Sequence, residues 1–260
     1  MPDISPEARA EIERRLHAIT EEEGIRILMA VESGSRAWGF PSPDSDYDAR
    51  FIYVRPVRDY LRLTPVRDVV ERPIVDLFDV NGWDIDKTLG LLLNHNAVVA
   101  EWINSPIRYQ PDDPVIARLA ELADRHFNPR GYARHYASLG QNNVARWDMA
   151  AGTLSVKRYF YALRPALCVR ALRMNPAARP PMALQGLIAA TDLPPALADL
   201  IEELVALKAE TKEAAPATRS RELEALITGE LARAENVPER LDPARFAAEA
   251  EALLFDLLGV

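Results

Sequence analysis

Between residues 25 and 54 the chain sets two apolar, β-competent runs on either side of a stretch that no single helix or strand can cross unbroken. The first run, 25–31, stops at Gly34-Ser35-Arg36-Ala37-Trp38-Gly39. Pro41, Pro43 and Ser45 then make residues 41–45 a loop. The second run, 47–54, opens on a pair of aspartates, Asp46 and Asp48, at positions i and i+2. In extended backbone both side chains leave the same face. Two carboxylates so placed repel each other and shift each other's pKa unless a cation lies between them. The expected cation is Mg²⁺, with Mn²⁺ as its substitute: a hard ion that takes oxygen ligands and works through one or two carboxylates plus substrate phosphates. Gly34 and Ser35 supply what phosphates need, a close backbone approach, N–H groups and a hydroxyl. Residues 32–54 therefore predict a metal-dependent nucleotide site.

The flanking pattern sets the fold class. An amphipathic helix over 6–20 carries Ile12, Leu16 and Ile19 and ends at Gly24. Residues 55–73 are loop-rich, with one helical turn near Tyr60. A third strand is expected over 74–80, a helix over 83–93 with Asn81 or Asp84 as its cap, a short helix over 98–104, and a brief strand over 107–109. Beyond Pro114 the pattern is helical throughout, over 114–126, 130–151, 155–174, 181–191, 195–212, 219–235 and 242–258. The expectation is an α/β core, a short mixed β-sheet with helices, over 1–110, followed by an all-helical domain over 111–260.

Two-metal phosphoryl transfer needs a third carboxylate, so that attacking and leaving oxygens are clamped together. Asp76, Asp79 and Asp84 compete for that place. Asp79, near the end of the third strand, is preferred. Asp76 falls three residues earlier, on the opposite face of a regular strand, and Asp84 at a helix start has capping as its plain explanation. Arg36, directly after the Gly-Ser pair, is placed for triphosphate contact. Lys87 can reach a phosphate or lie solvated on its helix. Lys157, Tyr161 and Arg164 share one helix face, as phosphate and base contacts or as a packing stripe with snorkelling cations. Lys208 and Lys212 read as an exposed charged face. The four histidines show no metal-ligand spacing, and no Walker loop, dinucleotide fingerprint or serine-hydrolase elbow is present.

The run Gly-Ser-Arg-Ala-Trp-Gly…Ser-Asp-Tyr-Asp resembles the signature of the nucleotidyltransferase superfamily that includes DNA polymerase beta and the minimal nucleotidyltransferases. The chain is more closely similar to the YcgL-type predicted nucleotidyltransferases, the RNA repair pathway DNA polymerase beta family. That likeness is carried by Trp83-Asp84-Ile85-Asp86-Lys87, by Leu91-Leu92-Leu93-Asn94-His95-Asn96 with Glu101 and Ser105-Pro106, and by residues 157–165. The family's usual Asn-Pro is here Asn96-Ala97, which leaves that helix break less defined. The resemblance implies a polymerase-beta-like core with an appended helical domain. It also implies transfer of a nucleoside monophosphate from a nucleoside triphosphate, ATP by preference, to an acceptor hydroxyl. Gly34, Ser35 and Arg36 would hold the donor, and Asp46, Asp48 and Asp79 the metal. An RNA end, a small hydroxylated molecule and a protein side chain are the open acceptors; a non-catalytic nucleotide-binding or scaffold module is the rival class.

Composition narrows partners. The formal net charge of −8 disfavours a large nucleic-acid footprint, which is driven by basic residues and counterion release. The one cysteine, Cys168, excludes an intrachain disulfide and a cysteine-based zinc cluster. The opening residues have no apolar signal core, and no apolar run approaches the roughly 20 residues that span a bilayer. A cytoplasmic protein without membrane contact is expected.

Overall fold

The computed structural model describes residues 4–260. In chain order its elements are α1 (Pro6–Glu23), β1 (Arg26–Glu32), α2 (Gly34–Trp38), β2 (Tyr47–Val54), α3 (Val57–Tyr60), β3 (Val69–Glu71), β4 (Phe78–Asp84), α4 (Ile85–Leu93), α5 (Ala97–Ile103), α6 (Pro114–Arg125), α7 (Pro129–Val144), β5 (Thr153–Ser155), α8 (Val156–Met174), α9 (Leu184–Ala190), α10 (Pro195–Glu210), β6 (Pro216–Thr218), α11 (Arg221–Leu231) and α12 (Pro243–Leu258). They form two compact units. The first comprises the chain up to Ala37, Asp46–Phe127 and Leu241–Val260; the second comprises Trp38–Ser45 and Asn128–Arg240. A single cut at residue 110 does not describe this grouping. Val115, Ile116, Leu119 and Leu122 of α6 and Phe246, Ala250 and Leu253 of α12 share a core with Leu28 and Val31 of β1. Phe40, from the loop ahead of the aspartates, stacks on Phe160 of α8 at 4.4 Å.

The first unit is built on a mixed sheet of order β1-β2-β4-β3. β1 runs antiparallel to β2, β2 parallel to β4, and β3 antiparallel to β4. Strand alternation sorts its two faces. Ala49, Phe51 and Tyr53 of β2 pack with Ile12, Leu16 and Ile19 of α1. Ile52 and Val54 pack with Ile85, Leu89 and Leu92 of α4. Gly82 of β4 is a required close approach, because the Phe51 ring fills the place of a Cβ, 2.1 Å from where one would stand.

The third strand begins at Phe78, not at residue 74. Asp76 (φ 53°) and Leu77 (φ 68°) are in the left-handed region, so the chain turns there. The strand also continues through Asp84, which delays the helix to Ile85. The brief strand near 107–109 is a single bridge from Val31 to Arg108. The short β3 was not foreseen.

The second unit is mostly helical, with α8 buried along Tyr159, Phe160, Leu163 and Leu167. It also holds a two-stranded antiparallel sheet, β5 with β6, where an all-helical half was expected. Leu154 and Ala217 face inward in register, while their neighbours face out. Glu230 of α11 is buried and receives Arg170 at 2.9 Å, Arg173 at 3.0 Å and Arg233 at 3.1 Å. Burial alone would raise its pKa, but the Arg173 and Arg170 guanidiniums outweigh it and hold the carboxyl below its ordinary value. A depressed folded-state pKa contributes stability that is present above the unfolded value and lost as pH falls through the folded one. Glu230→Gln should therefore destabilise the protein most near neutral pH, and the gap should close as the medium is acidified below about pH 4.3. Urea unfolding at several pH values checks this. Among the described residues no helix is long and apolar enough to cross a membrane.

Candidate nucleotide and metal site

The parallel pairing of β2 and β4 puts Asp48 directly opposite Asp79, and neighbouring strands lie only about 4.8 Å apart. Both carboxylates converge on one guanidinium. Arg50 Nη2 donates to Asp48 Oδ1 at 2.8 Å and to Asp79 Oδ2 at 2.6 Å. Its Nη1 donates to the Asp79 carbonyl at 2.8 Å and the Ala49 carbonyl at 3.1 Å. Asn81 Nδ2 holds the other Asp79 oxygen at 2.5 Å.

Gly34 is fitted against this pair. It has φ 58°, and a Cβ built there would stand 1.9 Å from Asp48 Oδ2. The preceding Ser33 N–H donates to the Asp48 carbonyl at 2.9 Å. The expected Gly-Ser turn is thus the first turn of the short helix α2, held against the aspartate strand by glycine's missing side chain. Behind it, fully buried Glu32 accepts from the Asp48 N–H at 3.0 Å and from the Tyr109 hydroxyl. Burial pushes the Glu32 carboxyl up to about 7, against the pull of Tyr109 and of the Asp48 backbone.

Asp46 stands one residue before β2, and its carbonyl accepts from Arg36 Nε at 3.2 Å. The Arg36 guanidinium lies 3.9 Å over the Tyr47 ring, and Ser35 is buried in α2. Asp76 lies in the turn before β4, not on the far face of a strand. Asp84 caps α4 through the Asp86 N–H and accepts from the Tyr60 hydroxyl at 2.8 Å. Lys87 pairs with Asp68 at 3.0 Å. Sequence reasoning missed Glu32, Arg50 and Asn81. The signal was present for two of them: Arg50 and Asn81 each follow an aspartate at i+2, on the same strand face.

Among the described residues no three His, Cys, Asp or Glu side chains gather as a metal cage. The pair of Asp48 and Asp79 nevertheless fits Mg²⁺, which binds through one or two carboxylates and takes its remaining ligands from water and phosphate. Two hard oxygen donors in register already share one positive charge, that of Arg50.

The second unit holds the remaining predicted contacts. Lys157 donates to Glu213 Oε2 at 2.5 Å and lies 5.7 Å from the Tyr161 ring. Tyr161 meets Trp38 edge-on at 5.8 Å. Arg164 is buried, donates to the Met182 carbonyl at 3.0 Å and sits 4.6 Å over Trp38. Lys208 was expected on an exposed face. It is instead 1% exposed, its Nζ 3.7 Å from Glu213 Oε1 and 5.3 Å from the Phe40 ring. Burial lowers the Lys208 pKa, and Glu213 works against that shift. Glu213 also accepts from Ser45 Oγ at 3.0 Å, and its N–H donates to Asp44 at 2.9 Å. Glu213→Gln should take from the buried Lys208 ammonium the carboxylate 3.7 Å away and cost about 3 kcal/mol of unfolding free energy. Chemical denaturation of the purified variant measures the loss.

The profile of the RNA repair pathway DNA polymerase beta family matches residues 8–256. The uncharacterised protein YcgL of Bacillus subtilis (strain 168) is 43% identical over 152 residues, 58% of this chain and 58% of that protein. The match thus spans less than two thirds of the relative's length. A nucleotidyltransferase-like protein from Exiguobacterium sibiricum 255-15, of known crystal structure, aligns with 95% of this chain and 79% of its own at 12% identity. The TM-score of that alignment is 0.32.

Proposed function

The chain belongs to the RNA repair pathway DNA polymerase beta family, and from that premise we propose that it is a Mg²⁺-dependent nucleotidyltransferase, moving a nucleoside monophosphate from a triphosphate, ATP by preference, to an acceptor hydroxyl. The observation that carries the reading is the facing pair Asp48 and Asp79, with Gly34 fitted against Asp48. These two, with Asp46 at the mouth of β2, would hold the metal. When bound, Mg²⁺ supplies positive charge against the triphosphate and the departing pyrophosphate. The backbone of Gly34 and Ser35 holds the donor's phosphates, and Arg36 adds charge beside them. The acceptor oxygen bonds to the α-phosphorus as the bond to the β-phosphate breaks, pyrophosphate leaves, and the hydroxyl proton passes to Asp79. Catalysis of this kind is positioning and charge neutralisation.

The acceptor we propose is an RNA end. The family's description points there, and a net charge of −8 suits a terminus held through few phosphates more than a long tract held through many. The test is incubation with each α-labelled triphosphate and Mg²⁺ against RNA, protein and small-molecule pools. Label in the RNA pool supports this acceptor, and label confined to protein or small molecules replaces it. One observation favours a second reading, a nucleotide-binding module without turnover: Arg50 already occupies the carboxylate pair as a cation. That reading predicts nucleotide binding that does not require Mg²⁺, and no product in any pool.

A further inference from the structure

We propose that Arg50 is a built-in counter-ion that holds Asp48 and Asp79 in register when no metal is bound, and that a divalent cation must displace it to enter. The inference rests on the reading of these aspartates as metal ligands. Left alone, two carboxylates in register on adjacent strands would repel. Arg50 removes that repulsion with one nitrogen that reaches both, at 2.8 and 2.6 Å, while its other terminal nitrogen is fixed by two strand carbonyls. The side chain is 16% exposed, and those of its two partners are 23% and 16% exposed, so water screens the trio only in part.

The carboxylate oxygens are divided among three neighbours. Arg50 holds one on each aspartate, Asn81 holds the second on Asp79, and the second on Asp48 lies against Gly34. An ion that bridges the two aspartates meets the Arg50 charge between them, and like-charge repulsion opposes its entry until Arg50 gives way. A guanidinium presents a rigid fork, and competition from the entering cation decides its release. Arg50 is thus a positioning residue that acts through the two aspartates. It sets the metal threshold of the site, and once released it is a free cation of the type that pairs with phosphate.

Mn²⁺ binding to the metal-free protein, followed by the loss of the free-ion electron paramagnetic resonance signal, tests the proposal. Arg50→Gln should bind Mn²⁺ about tenfold more tightly than the wild type, with Arg50→Lys between them because an ammonium supplies charge without the fork. Metal-free Arg50→Gln should melt at a lower temperature than wild type and gain more from Mn²⁺, since at a given concentration a ligand stabilises more the more tightly it binds. If Arg50→Gln does not fold without metal, the same comparison is made with Arg50→Lys. Asp48→Asn identifies the site by abolishing binding. Equal or weaker Mn²⁺ affinity in the folded Arg50 variants, with Asp48→Asn still abolishing it, overturns the role of Arg50 and leaves the metal site standing. No Mn²⁺ binding by any of the proteins overturns both.

Discussion

Asp48→Asn and Asp79→Asn should each lower nucleotide transfer by about a thousandfold or more while leaving the protein folded. The amide keeps the size of the carboxylate and can still accept from Arg50. It removes one of the two negative charges that a cation at this point requires. The fold should survive because the hydrophobic sides of the sheet are elsewhere, on Phe51 and Tyr53 against α1 and on Ile52 and Val54 against α4. Arg50 also retains its two carbonyl acceptors in either variant. Initial rates with an α-labelled triphosphate, set beside circular dichroism and thermal melting, give the comparison. Asp46→Ala belongs in the same series, as the test of whether the residue ahead of β2 shares the metal. Turnover within a few-fold of wild type in the Asp48 and Asp79 variants would remove the catalytic assignment of this pair.

Gly34→Ala should act on stability and transfer at once. An alanine at φ 58° costs about 1–2 kcal/mol for its left-handed backbone. Its Cβ would then stand 1.9 Å from Asp48 Oδ2, so either the helix α2 or the carboxylate must move. We expect a total loss of about 2–5 kcal/mol, the sum of backbone strain and overpacking, and a fall in transfer close to that of Asp48→Asn. Gly24→Ala separates the two causes. Gly24 has φ 61°, but nothing lies within 4 Å of a Cβ built there. It should therefore show the backbone cost alone and full transfer. Equal effects from the two glycines in denaturation and in rate would mean that the contact between Gly34 and Asp48 has no functional weight.

The legible part of this molecule is the part encoded within a few residues. The runs before Gly34 and after Asp46 became β1 and β2, and the inward alternation of Phe51 and Tyr53 against Ile52 and Val54 follows the strand period directly. What required the structure was register. Nothing local says that Asp79 stands opposite Asp48 and Asp84 opposite Tyr53. The turn at Asp76 and Leu77, in left-handed backbone without a glycine, hid the start of β4. Arg50 shares a strand face with Asp48 two residues before it, but its bridging role depends on a partner 29 residues away. Lys208 was misread for the same reason. Its helix carries charge on both sides, and its burial depends on Glu213 and on Phe40, which arrives from the loop before the aspartates.

Position-specific labelling of the donor tests the central assignment most directly. The protein, Mg²⁺ and an RNA acceptor are incubated in parallel with a triphosphate labelled at the α-phosphorus and one labelled at the γ-phosphorus. Nucleotidyl transfer predicts α-label in the acceptor and γ-label released as pyrophosphate, with both signals lost in Asp48→Asn. Label from the γ-position in the acceptor, or γ-label released as orthophosphate while the acceptor stays blank, would contradict it.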